Sequence, residues 1–242
     1  MRRYVDLCVF LTDIRNLDKI LIMAKHLGYH TVSLTSTNNN IIDSKIINEI
    51  KKTAIRNNLN IVFRYEINTD NPKKLRETVR RIWRKYEIIS AYCINKKIAR
   101  IAGRDSRINI LTFPLDTSVK DLFNDAQCSL MKAKSQYLEI RYVEIAKNIN
   151  LERRYTNLLR WIKIAYENKI PIIASSGADR PQNLRSPFEI ASILTISGLD
   201  IKSARDSVSA IPMKLIEQGI LKTRGMLINK YVKVIRSPLC IG

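Results

Sequence analysis

Residues 171–190, with the sequence PIIASSGADRPQNLRSPFEI, contain the end of an apolar strand, a polar loop and the start of a helix. Ser186 is placed as the helix cap, Pro187 as the first helical residue and Glu189 as the partner of a capping box. Gly198 then supplies a stop signal for the helix. The segment therefore predicts one β/α unit, and the fold depends on how often such a unit recurs.

Similar units recur along the whole chain. Short runs rich in Ile, Val and Leu alternate with segments whose apolar residues follow helical spacing. Seven of these runs have the length and composition of buried strands in a parallel sheet. The predicted strands are Tyr4–Phe10, Thr31–Leu34, Asn60–Tyr65, Ile88–Tyr92, Ile108–Thr112, Leu138–Tyr142 and Ile170–Ala174.

The alternation predicts a single α/β domain over residues 1–242, because no Gly/Ser-rich linker or low-complexity stretch interrupts it. An open doubly wound sheet and a closed β/α barrel both fit this pattern. Repeated units without a dinucleotide fingerprint after the first strand favour a TIM-like barrel of about seven to eight strands. The last unit is predicted to be irregular, with short helices over 201–218 around Pro212 and a late strand over Met226–Ile235.

The overall charge of the chain indicates its class of partner. Lys and Arg number 42 against 22 Asp and Glu, which gives a net charge of +20 at pH 7, and 45% of the residues are apolar. Such a chain can fold around a core, and its charge indicates a polyanionic partner. No apolar run approaches the roughly 18 residues of a spanning helix. Because the apolar stripes are expected to pack in the barrel, nucleic acid is preferred to a membrane surface.

The cysteines and histidines exclude several kinds of site. The four cysteines include no C-x-x-C pair, so neither zinc ligation nor a disulfide framework is predicted, and a reducing, cytoplasmic location is expected. Cys8 and Cys93 lie in apolar runs and are predicted to be core residues. His26 and His30 are too few to build a dinuclear metal centre, and we expect both to be structural.

Two segments hold most of the excess charge. Residues 72–107 contain twelve basic and three acidic residues, and residues 218–242 contain five basic residues and no acidic one. Such clustering is typical of phosphate binding, whereas a solvated helix face, the alternative, usually carries both signs. The second segment predicts a basic C-terminal extension at about 222–242. The clustering predicts nucleic-acid contact by Lys96, Lys97, Arg104, Arg107 and Arg180.

Two polar patterns lie at predicted strand ends. Glu139 and Arg141 share one face of a strand, which predicts an internal ion pair, with the Arg141 guanidinium also able to reach the barrel mouth. Arg180 and Arg185 lie beside a helix start at the carboxyl end of a late strand, where barrels often bind phosphate. The alternative is a capped helix whose Arg185 pairs with a neighbouring carboxylate.

Residues of the segment quoted above carry a family resemblance. Residues 175–178, 184–187, 198–199 and the stretch from Ala204 to Pro212 resemble the ribonuclease P protein component 3 family, the archaeal counterpart of the eukaryal thirty-kilodalton ribonuclease P subunit. The resemblance covers nearly the whole chain and is most specific over 175–212. It implies a β/α barrel related to metal-dependent phosphoesterases but without their metal ligands. The basic tail after Leu221 is not explained by it.

The resemblance also implies a function. Family members act in a ribonucleoprotein that removes the 5′ leader of precursor tRNA, in which the RNA subunit cleaves and needs magnesium. The protein would bind and stabilise that RNA together with other protein subunits, with no catalytic residue, metal or cofactor of its own. RNA contact is carried over onto Arg100, Arg141 and Arg185, which match basic positions of the family pattern.

Two other functions remain open at this point. A stand-alone barrel phosphoesterase could hold magnesium with carboxylates alone, and Asp6, Glu66 and Glu139 near strand ends are its candidate ligands. A binding module for phosphorylated metabolites could instead be centred on Arg185. The first predicts metal-dependent hydrolysis by the protein without RNA, and the second predicts a small ligand that competes with RNA.

Overall fold

A computed structural model of the chain describes residues 2–38, 42, 44–229 and 232–233. Seven parallel strands in this part of the chain form one sheet in which each strand pairs with the next in sequence. Their bounds are β1 Tyr4–Phe10, β2 Tyr29–Thr37, β3 Asn60–Asn68, β4 Ile88–Tyr92, β5 Ile110–Thr112, β6 Tyr137–Arg141 and β7 Ile172–Ser175. All seven predicted strands are present, with differences only at their ends.

Helices follow the strands along the chain. Several begin at side-chain caps: Asn71 and Asn95 accept backbone N–H bonds at two helix starts, and Ser186 with Glu189 forms the predicted capping box. The helices are α1 Leu17–His26, α2 Ser44–Arg56, α3 Pro72–Ile82, α4 Lys96–Arg104, α5 Asp125–Ala133, α6 Tyr142–Ala146, α7 Leu151–Glu167, α8 Pro187–Ile196, α9 Ile201–Ser207 and α10 Ala210–Thr223.

The sheet curls into a nearly closed barrel because its first and last strands meet. Beyond the end of β7, the Ala178 carbonyl accepts a 2.7 Å bond from the Phe10 N–H, and Ala178 forms a parallel bridge with Val9. The Asp6 carboxylate accepts bonds from the Ser176 and Cys8 N–H groups, both at 3.1 Å. The predicted TIM-like β/α barrel is confirmed, with seven barrel strands in the described part of the chain.

Helix α10 closes the barrel at the amino ends of the strands. Leu215 and Ile216 pack with Val5 and other apolar residues of the barrel interior. A Cβ atom at Gly219 would lie 2.4 Å from the Glu87 carbonyl oxygen, so only glycine permits this approach. The last unit is irregular, as predicted. The single late strand expected over Met226–Ile235 is wrong, because the described residues of that stretch form an antiparallel pair, β8 Leu227–Asn229 and β9 Val232–Lys233.

The structure places the first residue of the predicted basic extension at 222–242 in a helix. Lys222 belongs to α10 and is buried, and its ammonium donates a 3.0 Å bond to the Glu87 carbonyl. Burial lowers the pKa of Lys222 to about 8. Residues 230–231 and 234–242 of the extension lie outside the described residues.

The interior confirms the expectation for two of the cysteines. Cys8 and Cys93 are fully buried free thiols, as predicted for core residues. Burial raises the pKa of Cys8 to about 12, so this thiol is a poor nucleophile. None of the described helices is long and apolar enough to cross a membrane.

Candidate nucleic-acid interface

The amino end of α4 presents three of the predicted basic residues on one exposed surface. Asn95 caps the helix through a 2.9 Å bond to the Ile98 N–H, and the helix buries its Ile98 side. Lys96, Lys97 and Arg100 are exposed on the other side. In the described part of the chain none of the three has a carboxylate within 4.0 Å, so their charge is free to meet phosphate.

Arg104 and Arg107 lie at the opposite end of α4. Eight residues separate Lys96 from Arg104, which corresponds to about 12 Å along a helix. Arg104 is exposed, whereas Arg107 is partly buried and binds Asp105 through two bonds of 2.8 and 2.6 Å. The predicted cluster over 96–107 is therefore two groups, one at each end of the helix.

Arg180 and Arg185 flank the start of α8, as the sequence indicates. Arg180 is exposed and lies 4.0 Å from the Asp179 carboxylate. The Arg185 guanidinium donates to the carbonyls of Gln182 and Leu184 at 2.8 and 2.7 Å, and it lies 4.9 Å from the Tyr142 ring centre. Among the described residues it has no carboxylate within 4.0 Å, so the ion pair of the alternative is not formed, although Arg185 is near enough to contribute to lowering the pKa of Glu189.

Glu139 and Arg141 form the predicted internal ion pair, at 2.8 Å. The structure adds Arg64 and Glu66 to it, two residues that the sequence reasoning did not connect with this pair. Arg64 donates to both Glu139 oxygens at 2.5 and 2.7 Å, and Arg141 also binds Glu66. We call these four buried residues, two cations and two anions from β3 and β6, the barrel ion cluster.

The barrel ion cluster is fully satisfied around Glu139. Besides the two guanidiniums, the Thr112 and Ser175 hydroxyls donate to it at 2.7 and 2.9 Å. Burial alone would raise the pKa of Glu139, but the Arg141 and Arg64 guanidiniums hold it well below its ordinary value. The carboxylate is therefore ionised and held as a structural anion.

Arg141 takes a different position from that expected of an RNA ligand. It is only 5% exposed, it binds Glu66 and Glu139, and the Phe10 and Tyr92 rings lie 5.5 and 5.7 Å from its guanidinium carbon. It does line a cavity of about 440 Å³ at the barrel mouth. These contacts assign Arg141 a structural role in the barrel, and RNA contact by this residue stays a prediction.

The carboxylates that a phosphoesterase would need are already engaged. Glu66 and Glu139 are bound by arginine, and Asp6 accepts two backbone bonds at the barrel seam. The described residues contain no group of three or more His, Cys, Asp and Glu side chains placed to hold a metal ion. Since guanidinium and metal compete for the same oxygens, these residues do not fit a carboxylate-held magnesium ion.

Comparison with known proteins shows the family of this chain. The family model described as RNase P subunit p30 matches residues 3–224. The chain belongs to the RNase P subunit p30 family. Ribonuclease P protein component 3 of Methanosarcina barkeri is 23% identical to it over 228 residues, 90% of each chain. Ribonuclease P protein subunit p30 of Mus musculus is 24% identical over 82% of this chain and 78% of its own length.

A solved structure agrees with the p30-family fold. A chain of the cryo-EM structure of archaeal ribonuclease P with mature tRNA superposes with a TM-score of 0.82, at 16% identity, over 97% of this chain and 99% of that one. The barrel and its closing helix therefore belong to a fold that a ribonuclease P assembly contains.

Asp6 gives this p30-family barrel a pH-dependent stability. Burial raises the pKa of Asp6 from 3.8 to about 6, and its second oxygen has no partner among the described residues. A raised folded-state pKa contributes stability that is present below about pH 4 and is lost as the pH rises through about 6. Relative to the Asp6→Asn variant, the wild type should therefore lose about 2–3 kcal/mol of unfolding free energy between pH 4 and 7.

Urea unfolding of both proteins across this pH range measures the difference. Asp18→Asn, which changes an exposed carboxyl, serves as the control and should follow the wild type at each pH. If the difference in unfolding free energy between the wild type and Asp6→Asn stayed constant with pH, the folded barrel would not hold a proton on Asp6.

Proposed function

We propose that this chain is a protein subunit of ribonuclease P that binds and stabilises the RNA subunit, while the RNA removes the 5′ leader of precursor tRNA. Membership of the RNase P subunit p30 family over residues 3–224 is the observation that carries the proposal. The holoenzyme is then an endoribonuclease, and its magnesium is used by the RNA. The protein supplies binding and has no catalytic residue, metal or cofactor of its own.

Basic residues at two helix starts supply the chemistry for this role. Lys96, Lys97 and Arg100 form one contact group at the start of α4, and Arg180 and Arg185 form another at the start of α8. Both helix starts follow barrel strands, so both groups lie towards the carboxyl ends of the strands. Phosphate groups bound there would be read by charge and shape, which suits a folded RNA.

The proposed partners are the ribonuclease P RNA, precursor tRNA within the holoenzyme, and other ribonuclease P protein subunits. A cytoplasmic location is proposed with them, and the buried free thiols of Cys8, Cys93 and Cys128 suit a reducing compartment. The phosphoesterase alternative loses its support because arginine binds Glu66 and Glu139, two of its three candidate carboxylates.

Titration of the chain against ribonuclease P RNA at increasing salt tests the proposal. We expect log affinity to fall linearly with log salt, by about 0.9 per neutralised phosphate in a duplex or about 0.7 in a single strand. An unrelated RNA of equal length is the control and should bind more weakly at each salt concentration. Equal affinity for both RNAs, or displacement by a small phosphorylated metabolite, would contradict the proposal.

A further inference from the structure

A cleft between α3 and α4 has a lining that includes none of the residues of the two proposed contact groups. Its volume is about 410 Å³, and Arg76 and Arg80 of α3 face Arg104 and Arg107 of the α4 end across it. Ile101 is the apolar residue in its lining. Four arginines from two elements therefore surround one concave surface.

Most of the charge in this cleft is unneutralised. Asp105 is the acidic residue in the lining, and both of its oxygens are engaged by Arg107. Arg76, Arg80 and Arg104 are exposed, and no carboxylate of the described residues lies within 4.0 Å of them. The cleft thus holds three free guanidinium groups, which can bind an anion without breaking an existing ion pair.

A purely structural explanation covers only part of this arrangement. Arg80 and Arg104 lie in the last turns of their helices, where positive charge complements the helix dipole. Arg76 lies one turn earlier in α3 and gains nothing from that effect. Helix stabilisation also does not explain why the side chains of both helices line the same cavity.

We propose that this α3–α4 cleft is a further phosphate-binding site, which takes backbone phosphates of structured RNA. The proposal rests on the proposed function and extends it to Arg76 and Arg80. Their i,i+4 spacing places the Cβ atoms about 5–6 Å apart, which is close enough for two guanidinium forks to bind neighbouring phosphates. Among the residues that the structure describes, no aromatic side chain lines the cleft, so bases would not be stacked or read there.

The double variant Arg76→Ala/Arg80→Ala tests the cleft. Binding to ribonuclease P RNA should show a slope of log affinity against log salt that is smaller by about 2 than that of the wild type, because two phosphate contacts are lost. The matched control is Arg153→Ala/Arg205→Ala, which removes two exposed arginines from α7 and α9. The control should keep a slope close to the wild-type one.

The outcomes separate the cleft from the proposed function. If the wild type prefers ribonuclease P RNA and the two alanine double variants show equal salt slopes, the cleft is not a phosphate-binding site and the proposed function stands. A wild type without preference for ribonuclease P RNA would overturn both. Arg76→Lys/Arg80→Lys should keep the slope yet bind more weakly than wild type, because lysine retains charge without the fork. Thermal melts of each variant check that folding is unchanged.

Discussion

Glu139→Gln is expected to lower the free energy of unfolding by roughly 3–5 kcal/mol, the cost of removing one partner from a buried ion pair. Glu139 is fully buried and is held by Arg64, Arg141 and two hydroxyl groups. Glutamine has nearly the same shape but no charge, so two buried guanidiniums would share Glu66 alone. At 2–4 °C per kcal/mol for a chain of this size, the melting temperature should fall by about 10 °C.

Denaturant unfolding of the wild type and of Glu139→Gln measures this loss. Glu77→Gln removes an equal charge from an exposed position on α3 and should change stability by less than about 0.5 kcal/mol. If Glu139→Gln were as stable as the Glu77→Gln control, the barrel ion cluster would not hold the two sides of the barrel together.

The second large effect is expected on RNA affinity, from the triple variant Lys96→Ala/Lys97→Ala/Arg100→Ala. These exposed side chains lack carboxylate partners in the described part of the chain, so each can neutralise a phosphate. The slope of log affinity against log salt should become smaller by about 3, one unit for each lost contact. Stability should change little, because substitutions of exposed side chains usually do so.

A charge-matched triple variant separates local contact from overall charge. Lys19→Ala/Lys51→Ala/Lys52→Ala also removes three exposed positive charges, from α1 and α2. Its RNA affinity should stay close to that of the wild type, apart from a small loss through the weaker overall field. Equal losses in the two triple variants would mean that only net charge matters and that the start of α4 is not a contact surface.

Much of the fold could be predicted because each unit carries its own local signals. The strands are short apolar runs, and Ser186 with Pro187 and Glu189 marks a helix start by residue type alone. The closing helix was harder to predict, since the need for glycine at position 219 comes from the Glu87 carbonyl of a distant element.

The barrel ion cluster shows where prediction from the sequence stopped. Glu139 and Arg141 are two residues apart on one strand, so their shared face follows from strand geometry. Arg64 and Glu66 have the same spacing on β3, in the reverse order of charge, and this repeated pattern was a usable signal. What the sequence does not contain is which strands face each other across the barrel, and so Arg141 was expected nearer to solvent than it lies.

The basic residues show a similar limit. The charge count identified the 72–107 segment but not the separation of its 96–107 residues into two groups, which follows from the length of α4 between Lys96 and Arg104. Arg76 and Arg80 gained significance only when α3 was seen to pack beside the end of α4. Lys222 was counted with the tail, although the fold buries it against Glu87.

Cleavage of precursor tRNA, measured with the ribonuclease P RNA and its other protein subunits across a range of magnesium concentrations, tests the central claim most directly. We expect that adding this chain lowers the magnesium concentration needed for a given cleavage rate, and that the chain alone cleaves nothing. Unchanged cleavage when the chain is omitted, or metal-dependent cleavage by the purified chain without RNA, would contradict its role as a non-catalytic subunit of ribonuclease P.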